Sequence, residues 1–312
     1  THDFFYQKYS TLSNINCIIP ITKHYEKCES IYSKIKDYCM STSTAKFNSK
    51  LTSVFFAIEK TGIKINSTKF FKYFELTDEK YSLQDSKIYT KYNLYTTTGR
   101  PSNSFNNVNF AALNKEDGCR NAFVPENDKF IEIDISAYHP TLAGQIVGFD
   151  FKDETPYQYF AREANIPIEE AKILMFKQLY GGIYKEYQHI EFFRLIASYV
   201  ENLWNTFNKN GFVECDISGY KFTKDLKDMN PQKLFNYMLQ NLETSTNVLI
   251  LWDILKLLKG KQTKIVLYTY DSILLDYCKE DGILDDIKQT FFKRHLKVKL
   301  TKGSTYGSMM GI

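Results

Sequence analysis

Apolar positions along this chain fall into runs of helical and strand period. Leu51, Val54, Phe55 and Ile58 recur three and four residues apart and the run stops at Gly62, which predicts an amphipathic helix over 51–63. Two other runs end on a carboxylate. Phe130-Ile131-Glu132-Ile133-Asp134 predicts a strand over 129–135. Ile265-Val266-Leu267-Tyr268-Thr269-Tyr270-Asp271 predicts the first arm of a β-hairpin over 264–277, with Asp271 and Ser272 at its tip. Pro140 suits the first turn of a helix running to about Val147. Residues 155–208 are mostly helical in pattern. Gly211–Phe222 reads as strand, turn, strand with Gly219 in the turn, and 231–259 as one long helix stopping at Gly260. A helix over about 281–295 and a last strand near 296–301 close the chain. A helical stretch is expected around Ile21–Met40, residues 67–95 hold no clear period, and 96–110 is a turn-rich polar loop. There is no internal repeat and no low-complexity linker.

With 312 residues the chain can bury a sizeable core in two or three subdomains. Its formal charge of +4 permits nucleic-acid binding without requiring it. Lys far outnumbers Arg, and Asn, Ile, Tyr and Phe are plentiful, the bias of an AT-rich coding genome. The six cysteines (Cys17, Cys28, Cys39, Cys119, Cys215, Cys278) form no CxxC pair and no zinc-spaced cluster, so they read as reduced thiols of a cytoplasmic protein. No apolar run approaches the ~18 residues of a membrane span, and no signal peptide is visible. The chain opens on Thr-His-Asp rather than Met, which reads as a trimmed or processed piece with room for an upstream domain.

Asp134 and Asp271 dominate the candidate chemistry. Singly, each reads as a carboxylate at a strand end. Together they can hold two divalent metals about 3.5–4 Å apart, which would activate a hydroxyl and neutralise a leaving phosphate; the Ile135 backbone carbonyl is a further oxygen donor. Between them in sequence, Lys172, Phe176 and Tyr180 are spaced i, i+4, i+8 on one helix face, followed by Gly181-Gly182. A lysine there can pair with phosphates and an aromatic one turn on can stack on a sugar or base, although spacing alone favours a core stripe with a snorkelling lysine. Thr98-Gly99-Arg100, with Asn103, Asn106, Asn107 and Asn109 behind, suits phosphate and minor-groove contacts. Asn236 and Gln240, one helical turn apart, suit the degenerate minor-groove acceptors of a duplex.

In this order the pieces resemble the family A DNA polymerases, the bacterial DNA polymerase I type. Thr98-Gly99-Arg100 is similar to the family's TGR loop, with Asn107-Val108-Asn109 near its Asn-Leu-Gln segment, and Arg120-Asn121-Ala122-Phe123 to its Arg-x-Ala-Phe. Ile133-Asp134-Ile135-Ser136 resembles motif A, Ala171-Lys172 through Phe176 to Tyr180-Gly181 motif B, Asn236 and Gln240 the Asn-x-x-x-Gln pattern, and Tyr270-Asp271 the His-Asp of motif C. Gly211-Phe212-Val213-Glu214 resembles a fingers hairpin, and Glu59–Ile65 a segment preceding the thumb. The likeness covers 96–312 well and 50–66 weakly.

The resemblance implies an α+β right-hand fold with an antiparallel-sheet palm and helical fingers. Residues 1–95 would form a helical N-terminal region with the thumb reduced or missing, 96–150 the first part of the palm, 151–227 the fingers and 228–312 the second part of the palm. It implies a DNA-directed DNA polymerase using two Mg2+ ions, with Mn2+ as a substitute, bound by Asp134, Asp271 and Ile135. Lys172, Phe176, Tyr180, His139 and Arg120 would meet the dNTP, and Arg100, Asn107, Asn109, Asn236, Gln240 and Tyr270 the primer-template DNA. Phe rather than Tyr at 176 implies rejection of dideoxynucleotides. A phage or phage-like source acting in a bacterial host's cytoplasm is expected.

Departures from the family pattern matter as much. Motif A usually carries a Glu that blocks the 2′-hydroxyl, and His139 stands there, either filling the space or binding the hydroxyl and admitting it. The Arg expected before Lys172 is Ile168, the fingers His falls near Tyr157, and Lys177, Lys185 or Arg120 would have to substitute. The Glu after the motif C Asp is Ser272. Between Ile65 and Thr96 only about thirty residues stand where the family holds a thumb. Fewer phosphate contacts imply weaker, more salt-sensitive DNA binding and a need for a protein partner or further domain. No proofreading site is evident. Two rivals stay open: an RNA-synthesising or primase-like relative, and a weakly catalytic DNA-binding replisome subunit.

Overall fold

The computed structural model describes residues 42–74, 83–84, 86–103 and 108–312. The helix expected over Ile21–Met40 lies outside them, as do Asn106 and Asn107. The chain runs through α1 (Thr42–Thr61), β1 (Ile63–Lys64), α2 (Ser67–Tyr73), β2 (Leu83–Gln84), β3 (Lys87–Ile88), β4 (Lys129–Ile135) and α3 (Tyr138–Ile146). Then come α4 (Pro156–Ala164), α5 (Ile168–Gly181), α6 (Glu191–Asn210), the hairpin strands β5 (Phe212–Glu214) and β6 (Lys221–Thr223), and the long helix α7 (Pro231–Leu257). Strands β7 (Lys264–Thr269) and β8 (Ser272–Tyr277), helix α8 (Leu284–Phe292), β9 (Val298–Gly303) and β10 (Met310–Gly311) complete it.

Five of these strands form one antiparallel sheet in the order β10-β9-β4-β8-β7. Strand β4 is central. Its alternate side chains serve opposite faces, as a period of two requires. Ile131, Ile133 and Ile135 join Ile273, Leu275 and Tyr268 in the larger core, packed against α7 through Phe235, Leu239, Val248 and Leu251. Phe130 belongs to a second core with Leu267, Leu274, Ile63, Phe70 and Phe123 on the other face. Each fully buried side chain of this size contributes about 1.5–3 kcal/mol, so the two cores fix β4 from both sides. Glu132 and Asp134 follow Phe130 on the second face, where burial gives way to partial exposure.

Local signals explain the helix limits. The Asn230 side chain accepts from Lys233 N at 2.9 Å and Pro231 opens α7. Thr155 and Gln158 form a reciprocal capping box on α4. The expected helical region 155–208 is three helices, because Asn165 turns left-handed at φ +53° and Pro167 cannot continue α4, while α5 stops at Gly181-Gly182. The helix expected over 281–295 is shorter, since Gly282 sits at φ +61° and Asp281 is spent accepting from Gln262 N and Thr263 N. Residues 67–95 gave no period; among the described residues they hold α2 and the two-residue strands β2 and β3. These join β1 in a small antiparallel sheet of order β1-β3-β2, docked through Ile65 on Phe123. Cys119, Cys215 and Cys278 are free and buried. No described helix is long and apolar enough to cross a membrane.

Strand β7 is an edge, and its outward backbone groups need partners. The Tyr92 hydroxyl supplies both, donating to Tyr268 O and accepting from Tyr268 N, each at 2.9 Å, in a buried position. Tyr92→Phe would strand both groups. We expect it to lower unfolding free energy by about 1–3 kcal/mol, measured by urea denaturation; no loss would show that water reaches this edge.

Candidate active site

Two strand ends bring the carboxylates together. Asp134 pairs in register with Ser272, placing Asp271 just beyond it, and Ile135 N donates to Asp271 O at 2.9 Å. The β7–β8 connection is only Tyr270-Asp271, and Tyr270 holds φ +62°, a conformation that Gly usually supplies in such a loop. Two contacts hold it there: Asn247 Nδ2 donates to Tyr270 O at 2.7 Å, and the Arg100 guanidinium lies 3.8 Å from the Tyr270 ring centre.

The electrostatics of the pair are strained. Asp134 is raised to about 6, by burial first, then by the charges of Asp271 and Glu132. Asp271 is raised as well; the protein around its carboxyl withdraws solvent although the residue as a whole is exposed at the tip, and Glu243 adds to the effect while Arg100 and His139 oppose it. Glu132, two residues before Asp134 on the same face, accepts from Ser272 Oγ at 2.8 Å. Among the described residues no group of three or more His, Cys, Asp and Glu has metal-holding geometry. A divalent cation here would rest on the two aspartates and on oxygen atoms of other kinds. The fit lies in the charge: mutually repelling, partly desolvated carboxylates are what a cation relieves.

Helix α5 presents its aromatic face beside the pair. Phe176 is partly exposed and stacks on Tyr180 with ring centres 5.8 Å apart. Tyr157 of α4 lies 6.3 Å from Phe176, and its hydroxyl is raised by burial and then by Asp271 and Asp134, so it stands near both carboxylates. Lys172 is exposed and holds Glu169 at 2.8 Å, an i, i+3 surface pair worth only about 0.2–1 kcal/mol, so an incoming phosphate can displace Glu169.

Helix α7 supplies a stripe of polar side chains, Asn236, Gln240, Glu243 and Asn247, spaced four, three and four apart and therefore on one face. Asn236 Nδ2 donates to Tyr180 O at 3.1 Å, tying α7 to the end of α5, and its Oδ1 is buried without a partner. Glu243 is 1% exposed; its carboxylate accepts from Arg100 at 3.1 Å and meets His139 Nε2 at 2.7 Å. His139 Nδ1 in turn meets the Tyr180 hydroxyl. Asn247 bridges Tyr138, Tyr268 and Tyr270. Gln240 is half-buried. Gly99 belongs to the same assembly. At φ +71°, any Cβ there would meet Asn241 Nδ2 at 2.7 Å, and that amide donates to Thr98 O at 2.8 Å.

The structure thus gathers Asp134, Ile135, Asp271, Tyr270, Arg100, His139, Tyr180, Phe176 and Asn236 into one linked region. Arg120 is engaged elsewhere. Its Nε and terminal nitrogen donate to Leu113 O at 3.3 and 2.9 Å and its guanidinium stacks 4.7 Å over Tyr306, so a triphosphate contact would require it to leave both. Asn109 is exposed before a short turn of 3-10 helix. Asn107 lies outside the described residues. Glu243, Glu132 and Asn247 are the residues the sequence reading missed. The signal for Glu243 and Asn247 was there, as continuation of the Asn236, Gln240 spacing along a helix otherwise rich in Leu and Ile.

The fold resembles a polymerase domain. The polymerase domain of Pol1 from M. smegmatis, solved with DNA primer-template and dNTP, superposes with a TM-score of 0.58 at 18% identity over 72% of this chain. The chain spans about half of that protein's length, 49%. No protein-family profile and no curated protein matches the chain.

The raised pKa of Asp134 has a definite sign. The native carboxyl holds its proton more tightly than the unfolded one, whose value is near 3.8, so stability falls as pH rises from about 4 through about 6 and the full penalty stands above that. Asp134→Asn should therefore stabilise the protein by about 1–3 kcal/mol at neutral pH and by nothing near pH 4. Urea unfolding at the two pH values checks this; an equal effect at both would show that charge repulsion is not the cause.

Proposed function

We propose that this protein is a template-directed DNA polymerase that adds a deoxynucleoside monophosphate to a primer 3′ end. One observation carries the reading: two carboxylates at adjoining strand ends, each raised in pKa, face an aromatic helix in a fold similar to a polymerase domain. On this reading the five-stranded sheet with α3, from 96–150 and 228–312, is the palm, and residues 151–227 are the fingers. The likeness to the DNA polymerase I type rests on the motifs quoted above.

Asp134 and Asp271, with the Ile135 carbonyl, would hold two magnesium ions, which supply activation of the 3′-hydroxyl and charge neutralisation at the leaving phosphate. The chain's own side chains do the positioning. Lys172 exchanges Glu169 for the triphosphate, and Phe176 and Tyr180 offer a stacking face to the sugar and base of the incoming nucleotide. Tyr157, near the carboxylates, closes that face on the α4 side. Arg100, Tyr270, Asn236 and Gln240 line the approach of the primer-template.

Between Ile65 and Thr96, where the family holds a thumb, only about thirty residues stand, and the described ones form α2 and a sheet of two-residue strands docked on Phe123. So small a unit offers few phosphate contacts, which supports salt-sensitive DNA binding and a protein partner or further domain that adds grip.

Primer extension with purified protein, magnesium and dNTPs tests the reading. We expect extension that Asp271→Asn abolishes (a fall of at least about a thousandfold) and that chelation of the metal abolishes reversibly. Extension that survives Asp271→Asn would overturn the assignment of the site, and a weakly catalytic DNA-binding role would show as DNA binding without extension.

A further inference from the structure

A nucleotide runs from phosphate through sugar to base. In the site as proposed, the carboxylates take the phosphate end and the Phe176–Tyr180 face takes the base. His139 stands between them, acting electrostatically on Asp271 and bonded to the Tyr180 hydroxyl. On that reading the ring of His139, a residue 8% exposed, would lie beside the sugar. An imidazole has two hydrogen-bonding atoms, and here both are taken: Nε2 by Glu243 at 2.7 Å and Nδ1 by Tyr180. This holds in either protonation state, since Nδ1 accepts from the hydroxyl when the ring is neutral and both nitrogens donate when it is charged. What the ring has left for a ligand is carbon.

We propose that Glu243 sets the sugar specificity of this site by fixing His139 so that its ring excludes a 2′-hydroxyl instead of binding it. Glu243 is a positioning residue: it touches the ring, not the nucleotide. Its carboxylate is 1% exposed, held on its other oxygen by Arg100 at 3.1 Å, and carried on the middle of a long buried helix, so the acceptor it offers His139 cannot drift. A ribose hydroxyl pressed against the ring would lose water and gain no partner, the condition under which a site rejects an analogue strongly. Without Glu243, Nε2 is free, the ring can turn, and the Arg100 guanidinium is released beside it; both would then offer the hydroxyl a partner.

The inference rests on the polymerase reading, and its test separates the two. Single-nucleotide incorporation is measured as kcat/KM for dATP and for ATP on one primer-template, with thermal unfolding alongside. We expect the wild-type protein to prefer the deoxynucleotide by about a hundredfold or more. Glu243→Ala should reduce that preference at least about tenfold, chiefly by raising ATP use, whereas Glu243→Gln, whose amide oxygen can still accept from Nε2 while its NH2 gives up Arg100, should reduce it clearly less. Tyr180→Phe frees Nδ1 and should move the preference the same way as Glu243→Ala; it carries the test alone if that variant does not fold. A preference unchanged in both variants, or a wild-type protein that uses ATP as well as dATP, overturns the inference and leaves the polymerase reading standing. A wild-type protein that extends with neither overturns both.

Discussion

The constraint on which the site depends is one buried charge. Glu243 lies in the apolar interior between α7 and the sheet, where an unpaired carboxylate would cost several kcal/mol. Its compensation comes from two distant parts of the chain, Arg100 before β4 and His139 on α3. Each partner reaches further: Arg100 to Tyr270 at the tip carrying Asp271, and His139 to Tyr180 at the end of α5. Satisfying one carboxylate therefore fixes the relative positions of a loop, two helices and the hairpin that bears Asp271. The neighbouring stripe residues repeat the device, with Asn236 on the α5 terminus and Asn247 on Tyr270 O. The network is rigid because displacing one member unpairs several others, although Arg100 Nε and Asn236 Oδ1 are themselves buried without partners.

That rigidity is needed because the end of the sheet that carries Asp134 and Asp271 is under electrostatic and backbone stress. Asp134 and Asp271 raise each other's energy, Glu132 adds a third charge, and Tyr270 holds a conformation unusual for a residue with a side chain. Cores on both faces of β4 and the bond from Ile135 N to Asp271 O keep the strand ends together against this repulsion. Stability is spent where a cation and a substrate would later restore it, the usual relation between a strained site and its ligand.

Much of this was legible in the sequence, for reasons that differ by element. The strands carrying Asp134 and Asp271 and the helix α7 were readable because their apolar periods are long and their ends are marked, by a carboxylate in one case and by Gly260 in the other. Residues 155–208 read as helical but not as three helices, since the break at Asn165–Pro167 is short and the one after Gly181 runs to Glu191 through residues that carry no strong polar or turn cluster beyond Gly181-Gly182. Residues 67–95 were illegible because two-residue strands have no period. The sequence pattern singled out Asp134, Asp271 and Tyr180, which the fold brings near one another, but not Glu243. A lone acidic residue on a helix reads as solvent-facing, and only the fold shows that Arg100 and His139, far away in sequence, converge on it.

The low identity to the M. smegmatis polymerase domain, 18%, is intelligible in these terms. A fold of this kind is fixed by which positions are apolar, by the register of β4 with β8 and β9, and by the turns, all of which tolerate exchange of one side chain for another. The site is less permissive, but its demand is for charge balance and geometry, not for a particular residue at each place. Arg100 needs a buried anion within reach, and Tyr180 needs a hydroxyl partner on α3. A single residue could meet both needs from one element. Here the anion comes from α7 and the hydroxyl partner from His139, and the imidazole joins them because it alone among side chains can bond at both ends of a small rigid ring. The arrangement is stable only as a pair. His139 without Glu243 would have a nitrogen turned into the core with nothing to meet, and Glu243 without His139 would have an oxygen in the same position. Each is intelligible only through the other.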